Sequence, residues 1–497
     1  MFKAKAFEIL ETLTEKEYSL FKDYLESPFF NSNQRLVKLL VFLKQFYPEF
    51  NQDELTRELV HKEIYGKIKF SDAKIRVLFS EFNEKLENFM SQISYETKFV
   101  EKKFNLIEQL DKRKLGKREE EVLEKLEDEL KSQELNLDLL LNLMRLESER
   151  FNYQLNHKFL STVKNIRSDI YCLIKRGEYF VQFIILDVLK STDILYKYIK
   201  YNDQKIDDTM LIKFISTLDI KKILKDIQGF KSEYSDVLTI YYKFYLAFSE
   251  LDNHKFYLDF KNTVLKDQSL KGTEIKKFFI AKLIDYCITK NTYSIKRAYE
   301  NDLFDIYNVY LREEMYLSPR NQFFYPDLFR NIVFLALRLK KFDWCREFID
   351  GYSHTLHPEI RQSMVNYSMS QILFREGDFE NSLIYLNKVK FDAFIFKYDV
   401  RNLSLMLNYE LKNYDIVEMQ IDAYRHFIKY DQNTQDFKKV GVNNFIKVIN
   451  SLLLMLSSIS NDLDFQKNKI LKEINSLPEL HFRSWLKRKA EEIPVNA

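Results

Sequence analysis

Glycine and proline are scarce here: 8 and 7 residues in a chain of 497, against ordinary usage of roughly 7% and 5%. Few such residues leave few places for tight turns, so long helices are expected. No Gly-x-Gly occurs, so neither a dinucleotide fingerprint nor a P-loop is available to cradle phosphate with backbone N–H groups. A Gly-x-Ser-x-Gly nucleophile elbow is missing as well. Three cysteines, Cys172, Cys287 and Cys345, are an odd number set too far apart for a Cys-x-x-Cys half-site. Each sits in an apolar helical pattern and reads as a small hydrophobe in a reducing compartment. Charge of one sign is lacking too: 77 basic and 74 acidic residues leave +3, too little for a bulk field directed at nucleic acid or membrane. No run of 18 apolar residues appears, and residues 1–16 lack the apolar core of a secretory signal. A cytoplasmic location is expected, with no membrane partner.

What is present is aromatic and helical. The 43 Phe and 31 Tyr supply enough apolar surface to exclude global disorder. Residues 1–97 are expected to form an N-terminal helical domain, beginning with an amphipathic run through Phe7, Leu10, Phe21, Tyr24 and Leu25. Thr14 with Glu17 makes a capping box, and Ser27-Pro28 and Tyr47-Pro48 end helices, because the residue before proline is driven out of the α region. A long helix capped by Ser71 or Asp72 carries Ile75, Leu78, Phe79, Phe82, Leu86, Phe89 and Met90. Residues 98–156 are charged, helical and broken by Gly116, with Val122, Leu126 and Leu130 on one stripe and Glu119-Glu120-Glu121 opposite. The stripe is too short for a coiled coil, so these helices are expected to join onto the segment that follows. Further helices from 157 to 300 are expected to have joints near Gly177, Gly229 and Gly272.

From Phe329 to Asp415 the chain repeats itself. Lys341-Phe342-Asp343, Gly377-Asp378-Phe379-Glu380 and Asn413-Tyr414-Asp415 are polar knots carrying an aromatic, with spacings of 37 and 35 residues. Such a period marks stacked helical hairpins, since one hairpin cannot bury its apolar face alone. Phe256 and Tyr293, also 37 apart, hint that the period extends backward. Before the best knot, Val365, Met369, Ile372 and Leu373 form one face; after it come Leu383, Leu386 and Val389.

The block from Arg375 to Leu383 resembles the tetratricopeptide turn, in which a Gly-Asp-aromatic knot precedes a small residue that lets two helices approach. Ser382 holds the small place, as Cys345 and Val417 do in the neighbouring repeats. Asn366 stands where that family has an aromatic, and the closing proline is missing after Val389. A second resemblance rests on Tyr24-Leu25-Glu26-Ser27-Pro28-Phe29-Phe30-Asn31, on the stretch Phe329 to Leu337, on Asp343-Trp344-Cys345 with Phe348-Ile349, and on Arg401-Asn402-Leu403. These strings resemble an uncharacterised family of long helical proteins common in Bacteroidota. That resemblance implies a bacterial cytoplasmic setting and carries over no functional residues.

The expected fold is all-α: an N-terminal helical domain (1–97), long charged helices (98–156), and an α-solenoid of tetratricopeptide-like hairpins (157–497) closed by a capping helix. In that helix, opened by Pro478, Phe482, Trp485 and Leu486 share a face while Arg483, Lys487, Arg488 and Lys489 crowd the rest.

No catalytic constellation, cofactor or metal site is expected. His354 and His357 with Asp350 lack helical i, i+4 geometry, and Asp207-Asp208 reads as a solvated pair. The expected function is therefore a non-enzymatic scaffold or adaptor that binds a protein or peptide on the concave face of the repeats. The alternative is a nucleic-acid-associated regulator using the N-terminal helices or the basic C-terminal helix. In tetratricopeptide-like stacks the first helix of each pair lines the concave face. That resemblance places Arg330, Phe334 and Arg338 there, then Tyr367, Gln371, Phe374 and Arg375, then Asn402, Met406 and Tyr409. Arg338 and Arg375 are equivalent and suited to carboxylates; Glu410 takes the third equivalent place.

Overall fold

A computed structural model describes residues 4–50, 55–157, 163–202, 210–229, 233–293, 298–317, 322–390, 396–431, 436–457 and 463–493. Among them the regular structure is helical throughout, with no strand. The chain falls into two compact units, Met1–Tyr257 and Leu258–Ala497. The pair Asp207-Asp208 lies outside the described residues.

In the first unit, helices Lys5–Leu10, Glu15–Glu26, Gln34–Leu43, Arg57–Tyr65 and Asp72–Thr97 enclose one apolar core. The opening amphipathic run is two helices rather than one. Thr14 caps the second, taking the Glu17 N–H at 3.2 Å while Glu17 accepts the Thr14 N–H at 2.8 Å, so the box starts a new helix instead of continuing the old one. Three helices follow, Phe99–Lys112, Gly116–Lys131 and Leu137–His157, each packed on the next and the first also on the third. The buried stripe of the middle helix is Glu119, Leu123, Leu126 and Leu130, with Val122 only partly covered. Glu119 therefore belongs to the inner face, not to the solvated run where the sequence placed it. Gly177 marks no joint: it lies inside a helix running Val163–Asn202. One interior glycine costs about 1 kcal/mol, and burial of Cys172, Tyr179, Ile185, Leu186 and Leu189 along the same helix outweighs it.

In the second unit the three knots close antiparallel pairs: Pro326–Arg338 with Phe342–Tyr352, Pro358–Glu376 with Phe379–Asn387, and Lys397–Glu410 with Tyr414–Tyr430. The knot aromatic is in each case the first residue of the second helix. Every knot is closed in one way. The N–H of Lys341, Asp378 and Asn413 donates five residues back, to the carbonyls of Ala336, Leu373 and Asn408, at 2.9, 3.0 and 2.9 Å. This Schellman geometry requires a left-handed residue just before the donor; Lys340 (φ 56°), Gly377 (φ 89°) and Lys412 (φ 60°) supply it. First helices also pack on one another, Pro326–Arg338 on Pro358–Glu376 and that on Lys397–Glu410. The earlier pair Phe256 and Tyr293 does not continue this register, since one sits near the start of helix His254–Lys266 and the other ends helix Glu274–Tyr293.

Buried polar contacts fix the middle pair. Ser370 Oγ donates to the Ser382 carbonyl at 2.8 Å and Ser382 Oγ to the Ser370 carbonyl at 2.7 Å, both fully inside. Small side chains thus bring the helices together and stitch them. Asn366, in the family's aromatic place, donates to the Lys388 carbonyl at 3.2 Å and so closes the end of the second helix. All three cysteines are buried, and burial pushes the Cys345 thiol up to about 12, which removes its nucleophilic character. Lys439–Ser457 is long and apolar enough to cross a membrane, but half of it is buried within the fold, where Val442, Phe445, Ile449 and Leu452 are core residues.

Gly377 has open space around the position of a side chain, so a Gly377→Ala change meets only its backbone angle. The expected loss is about 1–2 kcal/mol. Lys340→Gly is expected to change stability the other way, by about 0.5 kcal/mol. Urea melts of the two variants check both signs.

Candidate functional site

The first helices of the three pairs leave a groove of about 350 Å³ between them, within the size range of ligand pockets. Its wall contains Arg330, Phe334 and Arg338 from Pro326–Arg338, then Tyr367, Gln371, Phe374 and Arg375 from Pro358–Glu376, then Asn402 and Met406 from Lys397–Glu410. Helical periodicity explains the grouping. Residues 330, 334 and 338, like 367, 371 and 374–375, recur at three or four positions and share one face.

Tyr409 is not part of that wall. It lies buried beside Trp485, ring centroids 5.4 Å apart and nearly perpendicular. Asn402 lines the groove but is also occupied inward, its Oδ1 accepting the Tyr424 hydroxyl at 3.0 Å. Gln371 donates to the Tyr367 hydroxyl at 3.0 Å, fixing both polar tips. The groove also contains Asp399, Leu403, His481 and Phe482, which sequence reasoning did not place there. Asp399 sits one turn before Asn402 on the same helix and was within reach of the periodicity. His481 and Phe482 come from a segment about seventy residues further on, for which the repeat carries no signal.

The charges of the groove are unequal in their partners. Arg330 Nε pairs with Asp399 at 2.6 Å, and its guanidinium lies 4.6 Å from the Phe334 ring centre. Burial raises the Asp399 carboxyl from its ordinary value while Arg330 pulls it back. Arg338 Nε pairs with Glu300 at 2.7 Å. Arg375, by contrast, makes no ion pair among the described residues; it stays exposed to solvent, while partial burial and the like charges of Arg338 and Arg488 disfavour its guanidinium. Burial also lowers His481, against the pull of Asp399 and Glu479. The imidazole rests on Gly441, where an added Cβ would meet it at 2.7 Å.

No known protein family, curated protein or solved structure matches the chain.

The end of the chain closes one side of this region. Glu410, the third counterpart of Arg338 and Arg375, accepts from Trp485 Nε1 at 2.7 Å and from Lys489 Nζ at 2.6 Å, with Arg488 at 3.4 Å. The last helix is Arg483–Glu492, so Pro478 does not open it. The intervening turn is held by tertiary bonds instead: Asn444 donates to the Glu479 carbonyl at 2.6 Å, and Arg483 donates to the carbonyls of Ile474 and Leu477 at the end of helix Leu463–Ser476. Phe482 stands in the left-handed region, φ 53°, just before the helix. Arg483 and Lys489 are thereby engaged within the fold, Arg488 is exposed but reaches Glu410, and Lys487 faces outward. His357 is also engaged, its Nδ1 accepting the Glu359 N–H at 3.4 Å as a helix cap.

Trp485 is 7% exposed and packs on Tyr409 and Phe445. Trp485→Ala is expected to cost about 3–5 kcal/mol and to expose Glu410. A lowered thermal midpoint together with faster amide exchange across Arg483–Glu492 checks the fastening.

Proposed function

We propose that this chain is a non-enzymatic scaffold, a divergent tetratricopeptide-like solenoid whose concave groove takes an acidic peptide segment of a partner protein. The observation that carries this reading is Arg375. The two other arginines of the groove each have a carboxylate: Arg330 has Asp399 and Arg338 has Glu300. Arg375 has none among the described residues and stands amid like charge, so a carboxylate arriving there gains a charge-assisted, bidentate bond and relieves the repulsion. Phe334 and Phe374 supply the apolar contacts such a segment needs beside it. The regular chain of helix pairs, closed three times by the same turn, supports the solenoid reading. The engagement of Arg483 and Lys489 inside the fold leaves little of the basic helix for nucleic acid.

Arg375→Glu is the informative change, because Arg338→Glu would set a second carboxylate against Glu300 and disturb the fold. Selection of random peptides on the immobilised full chain is expected to enrich sequences containing Asp or Glu. Arg375→Glu is expected to weaken the selected peptides at least ~10-fold, the scale of one lost charge-assisted bond, with the thermal midpoint kept. Peptides without acidic enrichment, or affinity indifferent to that change, overturn the reading.

A further inference from the structure

The first unit brings together three side chains that the sequence keeps apart. Helices Phe99–Lys112, Gly116–Lys131 and Leu137–His157 run alternately up and down, so the end of the first, the start of the second and the end of the third meet. Asp111, Glu119 and His157 occupy those three ends. His157 Nε2 lies 3.1 Å from Glu119 Oε2 and 3.5 Å from Asp111 Oδ1, and one donor atom from each residue lies within 4.8 Å of the others.

We propose that Asp111, Glu119 and His157 form a binding site for a divalent transition-metal ion of the zinc class. Four donors placed tetrahedrally around zinc at about 2.0–2.1 Å stand about 3.3–3.4 Å from one another, and the two separations of His157 bracket that value. A plain ion pair explains the cluster less well. The Glu119–His157 contact has the length of a hydrogen bond without its alignment, and neither Glu119 Oε2 nor His157 Nε2 makes a hydrogen bond among the described residues. Glu119 is only 2% exposed, and a carboxylate so buried beside a second one must either take up a proton or meet a cation. A neutral imidazole with two carboxylates carries two negative charges, which a divalent ion balances. Imidazole with carboxylate oxygens suits zinc and its first-row neighbours rather than calcium or magnesium.

The surroundings hold these donors in place. Asn156 donates to Asp111 Oδ1 at 2.9 Å, orienting that carboxylate in the manner of outer-shell partners at metal sites. The His157 ring leans on Tyr153, centroids 5.2 Å apart, and its other edge is seated on Gly116, where a Cβ would come within 2.8 Å of Nδ1. Nδ1 is thereby turned to the glycine and Nε2 to the carboxylates. Three protein donors leave a fourth position for water, and the ion would tie the end of the third helix to the turn that joins the first two.

The test uses the full chain stripped of metal and titrated with zinc chloride in a calorimeter, with cobalt chloride as a spectroscopic substitute. Expected are one zinc per chain, a raised thermal midpoint, and the visible bands of four-coordinate cobalt. His157→Asn and Glu119→Gln are each expected to weaken zinc at least ~10-fold. Asp111→Asn, at the partly exposed rim, serves as the variant least able to disturb folding and is expected to do the same. Gly116→Ala removes no donor but moves the imidazole, and is expected to weaken zinc while leaving circular dichroism unchanged. A variant with both His354→Asn and His357→Asn is expected to bind as the parent does. No saturable binding, or binding that survives Asp111→Asn and His157→Asn, overturns the site and leaves the cluster an ion pair only.

Discussion

One backbone hydrogen bond recurs at five turns of the described residues: an N–H donating to the carbonyl five residues behind it, across a residue in the left-handed conformation. It closes the knots after Arg338, Glu376 and Glu410, and it also closes the turns at Leu115 and Met315. Because the bond fixes the direction in which the chain leaves a helix, it decides which face the next helix offers to the last. In four of the five turns the left-handed residue is Lys or Glu: Lys114, Glu314, Lys340 and Lys412. The strain of such residues, about 1–2 kcal/mol each, is sustained by the packing of helices on either side. The geometry of the turn is thus imposed by the pair, with glycine helping only at Gly377.

The second unit ends on the same economy of contacts. Glu410 stands where two earlier repeats present arginine, and the reversal of charge turns a groove position into an anchor for Trp485 and Lys489. The change of sign at this one position thus holds helix Arg483–Glu492 against helix Lys397–Glu410. Arg375 makes no ion pair among the described residues, whereas its equivalents, Arg338 and Glu410, are both paired with neighbours.

Helix existence and the paired turns were legible because both are local. The aromatic knots sit at the first residue of a helix each time, and Thr14 with Glu17 caps a helix as its spacing dictates. Most of the groove residues lie on the helix faces that the tetratricopeptide resemblance implied, and helical period groups them there. What escaped was decided by contacts between distant segments. Pro478 begins no helix because Arg483 and Asn444 bind the carbonyls around it. Glu119 looked solvated within a run of three glutamates, yet the phase set by Leu123, Leu126 and Leu130 carries it inward, and only the meeting of three helix ends gives it company. Tyr409 had the right phase for the groove and was covered by a segment the repeat does not predict.

Two of the eight glycines serve neighbours rather than their own backbone. Gly116 and Gly441 have no positive φ, yet each lies beneath an imidazole, His157 in one unit and His481 in the other, that would collide with any side chain there. Each is half of a lock whose other half is a histidine. Among related chains, these positions are expected to covary: where the ring is lost the glycine is released to become alanine, and where the ring is kept the glycine stays.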